Sequence, residues 1–299
     1  TGQNVDMNTG KGEVFTDFFP SFEIPQLDFE IESMGEEGRE ILSMLNMSDI
    51  SDITKDKKIE LLKKFAQAYE NWINNQKELG EELKCKYSDE LIDGLIKKCI
   101  DSLNRIRKGI EVLTYDEKAY DAFILMNRAM LMQRAHSRFS GSEYDRFPAD
   151  KDKPVTKIDY SKIEKKDASW RAFQLAFILM NIESVSNPEC KERDIVDLIW
   201  IPTGGGKTEA YLGLSGFTIF LRRLKDPVSG GGTAIIMRYT LRLLASQQFI
   251  RASILICACE KMRRELNKSG KYNLGEEEIS IGLWVGGDPT PNTNIKAKE

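Results

Sequence analysis

The stretch Asp197-Leu198-Ile199-Trp200-Ile201-Pro202-Thr203-Gly204-Gly205-Gly206-Lys207-Thr208-Glu209-Ala210 constrains this chain most. It reads as a short buried strand, a glycine-rich turn and the start of a helix. Pro202 has no N–H to give and ends the strand's ladder. Gly204, Gly205 and Gly206 take backbone angles closed to other residues and let the chain approach a ligand closely. The N–H groups of such a turn converge, and the following helix adds its positive end. The arrangement is a phosphate cradle. Lys207 would set an ammonium on the β- and γ-phosphates of ATP, and Thr208 a hydroxyl on the bridging Mg²⁺. The nucleotide set is therefore Thr203, Gly204, Gly205, Gly206, Lys207 and Thr208, with Lys207 and Thr208 as the catalytic pair and Thr208 as the metal ligand.

The general P-loop pattern has a glycine where Ile201 stands. Pro202-Thr203-Gly204-Gly205-Gly206-Lys207-Thr208 resembles the superfamily 2 helicases, which commonly relax that first glycine. Upstream, Arg171-Ala172-Phe173-Gln174 resembles their Arg-x-x-Gln segment, which implies that Gln174 reads the adenine edge, since an amide both donates and accepts. Downstream, Leu244-Ala245-Ser246-Gln247 fits the second half of helicase motif Ia, with Thr240 and Arg242 one residue out of register in its first half. In the family that strand end touches the nucleic-acid backbone. Ser280 to Gly287 is similar to the strand whose terminal glycine pair, here Gly286 and Gly287, approaches the strand's phosphates. The nucleic-acid set implied is Arg238, Thr240, Arg242, Gly286 and Gly287.

Strands at Leu198–Ile201, Thr233–Met237 and Ser280–Val285, separated by helices, give a βαβαβ order. Connection rules then predict a parallel doubly wound sheet with the ligand at the carboxyl ends of its strands. The fold class expected is α/β: part of a RecA-like P-loop domain over residues 167–299, preceded by an α-helical domain. Residues 1–55 read as a mobile or extended segment, 56–138 as the helical domain and 139–166 as a linker. In the helical part, Ile59, Leu62, Phe65, Ala66, Tyr69, Trp72 and Ile73 form one stripe. Leu91 to Ile106 forms a second, and Tyr120 to Leu131 a third, opened by a capping box from Thr114 to Glu117. Arg128, Arg134 and Arg138 read as a solvated face.

The chain has 299 residues and a net charge of −4, so any nucleic-acid contact must use a local patch. No stretch approaches the ~20 apolar residues of a membrane span. Five cysteines, with no pair-of-pairs spacing, predict reduced thiols of a cytosolic protein. The one histidine, His136, reads as structural and rules out a His-rich metal site.

Together, residues 165–295 resemble DrmA proteins, the helicase-like subunits of the DISARM antiphage defence systems. That resemblance implies a bacterial cytosolic ATP-dependent helicase or translocase acting on DNA with other defence subunits. It also implies a motif II and a second RecA-like domain, which would lie beyond Glu299. The rival readings are a nucleotide-binding scaffold without turnover and a restriction-type translocase outside DISARM. The run Leu255 to Glu260 mimics a strand ending in a catalytic glutamate. Helical spacing continues through Leu244, Phe249, Ile250, Ile254 and Cys257, which places Glu260 far along a helix. Residues 1–299 alone are therefore expected to bind nucleotide without turning it over efficiently.

Overall fold

A computed structural model describes residues 5–8, 13–16, 31, 34–139, 158–164, 167–202, 204–239 and 242–284. Strands β1 (Val5–Asn8) and β2 (Glu13–Thr16) pair as an antiparallel hairpin. The helices are α1 (Gly35–Leu42), α2 (Lys55–Leu83), α3 (Asp89–Tyr115), α4 (Glu117–Phe139), α5 (Ala172–Ser186), α6 (Lys207–Lys225) and α7 (Arg242–Ser269).

Local chemistry sets the helix starts. Thr54 caps α2 by accepting from the Lys57 N–H, and Ser88 caps α3 by accepting from the Leu91 N–H. The capping box expected at Thr114 does not form. Thr114 lies inside α3 and donates its hydroxyl to the Ile110 carbonyl at 2.8 Å. Asp116 instead accepts from the Ala119 N–H at 3.0 Å and opens α4.

Among the described residues the two-stranded hairpin is the only sheet. Contrary to the expectation of an α/β, RecA-like domain, these residues form no parallel sheet. Residues 195–202, 233–239 and 278–284 run extended, yet no strand pairs with them. Val196, Leu198 and Trp200 are 94%, 79% and 88% exposed, and Ile236 and Trp284 are 80% and 93% exposed. An apolar run states that residues favour burial, but only a ladder partner makes a strand. Helix faces provide the core instead.

That core is one continuous hydrophobic cluster spanning α1 to α7. α3 packs on α5, and α4 packs on α6 and α7. Gly109 permits the first contact, because a Cβ there would strike the Leu179 backbone. Gly213 permits α6 to lie against α5, where a Cβ would stand 2.7 Å from both Ile178 Cδ1 and Trp170 Cη2. Trp170 is itself buried and donates its indole N–H to Asn127 Oδ1 at 2.8 Å, tying α4 to the start of α5. The α2 stripe buries Ile59, Leu62, Phe65, Ala66 and Ile73, but Trp72 is half exposed and stacks on Tyr69. Among the described residues no helix is long and apolar enough to cross a membrane.

Candidate functional site: the glycine turn at the start of α6

Residues 195–202 reach the turn as an extended segment anchored on its way by Asp197. The Asp197 carboxylate accepts two hydrogen bonds from the Arg105 guanidinium of α3, at 2.6 and 2.7 Å. That bidentate partner holds the Asp197 carboxyl below its ordinary range, against the opposing effect of burial.

The chain then turns sharply. The Gly205 N–H donates to the Pro202 carbonyl at 3.0 Å. Gly204 and Gly206 both have φ +83°, a left-handed conformation that side chains rarely adopt. Gly206 is the residue before the first helical turn of α6 and caps it with no side chain. The first N–H groups of a helix have no partner within it, so they remain available to an anion. Gly205 has no room for a Cβ, which would strike the Ile201 side chain and lie 2.9 Å from the Pro202 carbonyl.

Two residues of the α5 start hold this turn from behind. Arg171 Nη1 donates to the Gly205 carbonyl at 2.5 Å, and Gln174 Nε2 donates to the Gly206 carbonyl at 2.7 Å. Gln174 is 3% exposed, and its Oε1 accepts from the Arg171 backbone N–H at 2.8 Å. The amide expected to read adenine is thus engaged at both ends with the backbone around the turn. Lys207 folds over the turn and donates to the carbonyls of Ile201 and Pro202, at 2.5 and 3.2 Å. Thr208 is half-buried in the first turn of α6.

Glu209, the next residue, went unassigned in the sequence. It is buried, its Oε1 pairs with Arg251 of α7, and Arg134 of α4 approaches the same oxygen at 3.7 Å. Arg134 was expected on a solvated face, and Arg128 likewise, but Arg128 bridges Asp49 and Glu265. No local spacing relates Glu209 to residues so distant in sequence, and only packing of α4, α6 and α7 brings them together.

Of the residues expected on nucleic acid, Arg238 is exposed near the end of the segment that runs along α6. Its neighbour Tyr239 lies within electrostatic reach of Arg251 and Tyr211, and burial pushes the Tyr239 phenol upward. Arg242 opens α7, with its side chain outside the described residues. Thr203, Thr240, Gly286 and Gly287 lie outside the described residues as well.

Glu260 lies within α7, as its helical spacing predicts. It accepts from Arg263 through both oxygens at 2.7 Å, from Arg264 at 2.6 Å and from the Ile279 N–H at 2.9 Å. A cavity of about 1210 Å³ lies between α6, α7 and the extended segments, and no residue of the glycine turn lines it. Cys257 is exposed and Cys259 buried, so the two thiols face different surroundings.

No protein-family model matches the sequence. Over 290 residues the chain is 37% identical to the DISARM protein DrmA of Bacillus paralicheniformis. That alignment takes in 94% of this chain and 24% of the relative, so the chain spans about a quarter of the curated protein it matches. Across nearly its whole length, the chain is therefore related to one segment of a DISARM protein.

Proposed function

We propose that the turn Gly204–Thr208 binds the polyphosphate of ATP with its Mg²⁺, within the nucleotide-binding part of a DISARM-like, ATP-dependent DNA helicase or translocase. The observation that carries this reading is the turn itself. Two glycines with φ +83° lead into α6, and Gln174 and Arg171 fix the two carbonyls at its back. With those carbonyls turned away and bonded, the N–H face of the helix start is left to a ligand.

The residues fit the group. Lys207 would leave the carbonyls of Ile201 and Pro202 to meet the phosphates, and Thr208 would hold Mg²⁺ through its hydroxyl. Bound ATP supplies a phosphoanhydride whose hydrolysis drives translocation. Arg238, Thr240, Arg242, Gly286 and Gly287 are the proposed contacts to the DNA backbone, and the resemblance to DrmA supports other defence subunits as partners.

One observation favours a quieter role for residues 1–299 alone. Glu260, the acid at the end of an apolar run, is committed to Arg263 and Arg264. With Glu260 bonded in this way, we read this part as binding nucleotide with slow turnover.

The test is calorimetric titration of ATP into wild type and Lys207→Ala. Loss of the ammonium removes charge-assisted bonds worth about 1.5–3 kcal/mol, or roughly a 10- to 100-fold loss in affinity. Equal affinities would remove the turn as the nucleotide site.

A further inference from the structure

The Glu209 carboxylate, in the first turn of α6, ties α7 to the region of the glycine turn. Glu209 Oε1 meets Arg251 closely and Arg134 at 3.7 Å. Its Oε2 is buried and accepts no hydrogen bond. That free oxygen lies 3.4 Å from where a Cβ on Gly206 would stand, so it faces the turn. Glu209 is 8% exposed, while the side chains of Arg251 and Arg134 are 34% and 38% exposed.

Two guanidiniums therefore share one carboxylate beside a helix N-terminus that also carries the Lys207 ammonium. The balance is a surplus of positive charge, which suits a ligand with several negative charges. The guanidinium fork fits a phosphate as it fits a carboxylate, and Arg134, 3.7 Å from Glu209 Oε1, remains to compensate the carboxylate when Arg251 leaves it. Arg134 belongs to α4, which is locked against α6 through the core. Arg251 belongs to α7, which begins at Arg242.

We propose that Arg251 reads the terminal phosphate of a nucleoside triphosphate held at the glycine turn, with Glu209 as the positioning residue that keeps its guanidinium beside the site. The triphosphate draws Arg251 off Glu209, and α7 shifts with it. A diphosphate stops short and leaves the pair closed. The nucleotide state is thereby passed to the helix that begins at Arg242. This inference rests on the nucleotide reading above.

The experiment compares ATP and ADP affinities of the intact protein as wild type, Arg251→Gln and Arg251→Lys, with hydrogen exchange of α7 in each nucleotide state. The expected result is about a tenfold or greater loss of ATP affinity in Arg251→Gln, with little change for ADP. Arg251→Lys recovers part of the loss, and ATP alters exchange in α7 of the wild type but not of Arg251→Gln. Equal losses for both nucleotides, no loss at all, or α7 exchange indifferent to ATP would overturn the role of Arg251 while leaving the cradle intact. If folded wild type binds neither nucleotide, the nucleotide reading itself fails and takes this inference with it.

Discussion

The Gln174 side chain donates to the Gly206 carbonyl at 2.7 Å and accepts from the Arg171 N–H at 2.8 Å, joining the start of α5 to the start of α6. One amide spans the two helix termini that border the proposed site. It is nearly inaccessible to solvent, which makes the shape of the turn its first duty.

Gln174→Ala removes the brace and should weaken nucleotide binding by about tenfold, on the order of one net hydrogen bond plus a carbonyl left without its partner. The informative comparison is ATP against GTP. A brace acts through the turn, so both nucleotides should lose equally. A loss confined to ATP would restore the adenine-reading role implied by the helicase resemblance. Gln174→Glu sharpens the test, since a carboxylate can accept from Arg171 but cannot donate to Gly206.

Gly206→Ala should be worse than its size suggests. The residue has φ +83°, and the added methyl would meet Gln174 Nε2 at 2.7 Å. The left-handed angle alone costs roughly 1–2 kcal/mol. Denaturant unfolding should show a loss of at least that order, and nucleotide affinity should fall with it. Gly204→Ala offers the control, because it shares the angle while its Cβ would meet nothing within 4 Å. A Gly206 variant as stable as wild type would mean that the turn relaxes freely and is no preformed cradle.

Helices α2 to α7 and the turn were legible because their signals are local, while α1 lies in the stretch 1–55 that reads as a mobile or extended segment. The apolar spacing from Ile59 to Ile73 lies on α2, and adjacent glycines can take the left-handed angles that the turn before Lys207 requires. The extended segments misled for the opposite reason. Leu198 and Trp200 have the apolarity of a buried strand, but burial depends on what packs over them, and no described strand does. The pairs that shape the site are longer range still. Arg105 finds Asp197, and Arg251 finds Glu209, across separations that no spacing rule covers.

The Arg105–Asp197 pair should carry stability as well as geometry. Both side chains are largely buried, so Arg105→Ala leaves a carboxylate poorly solvated and should cost about 1–3 kcal/mol. Because Asp197 has its folded pKa depressed, the pair stabilises the fold fully above the ordinary carboxylate range. That stability is lost as pH falls through the depressed value. Unfolding midpoints measured at neutral and acid pH should converge for wild type and Arg105→Ala. A gap that stays constant with pH would mean that the arginine acts through packing of its stem alone.

Glu260 separates a structural acid from a catalytic one. The Arg263 guanidinium, aided by the Ile279 N–H and Arg264, pulls its carboxyl down to about 2 against the effect of burial. A depressed folded value means that stability is fully present above the ordinary value of 4.5 and drains as pH falls toward 2. The shift corresponds to on the order of 3 kcal/mol at most. Glu260→Gln should therefore lower the thermal midpoint at neutral pH, and the difference from wild type should shrink in acid. Nucleotide affinity should stay unchanged, because the Glu260 carboxylate is bonded to Arg263, Arg264 and the Ile279 backbone instead of the glycine turn. DNA-stimulated phosphate release from residues 1–299 that disappears in Glu260→Gln, with the fold intact, would instead make this acid part of the hydrolytic machinery.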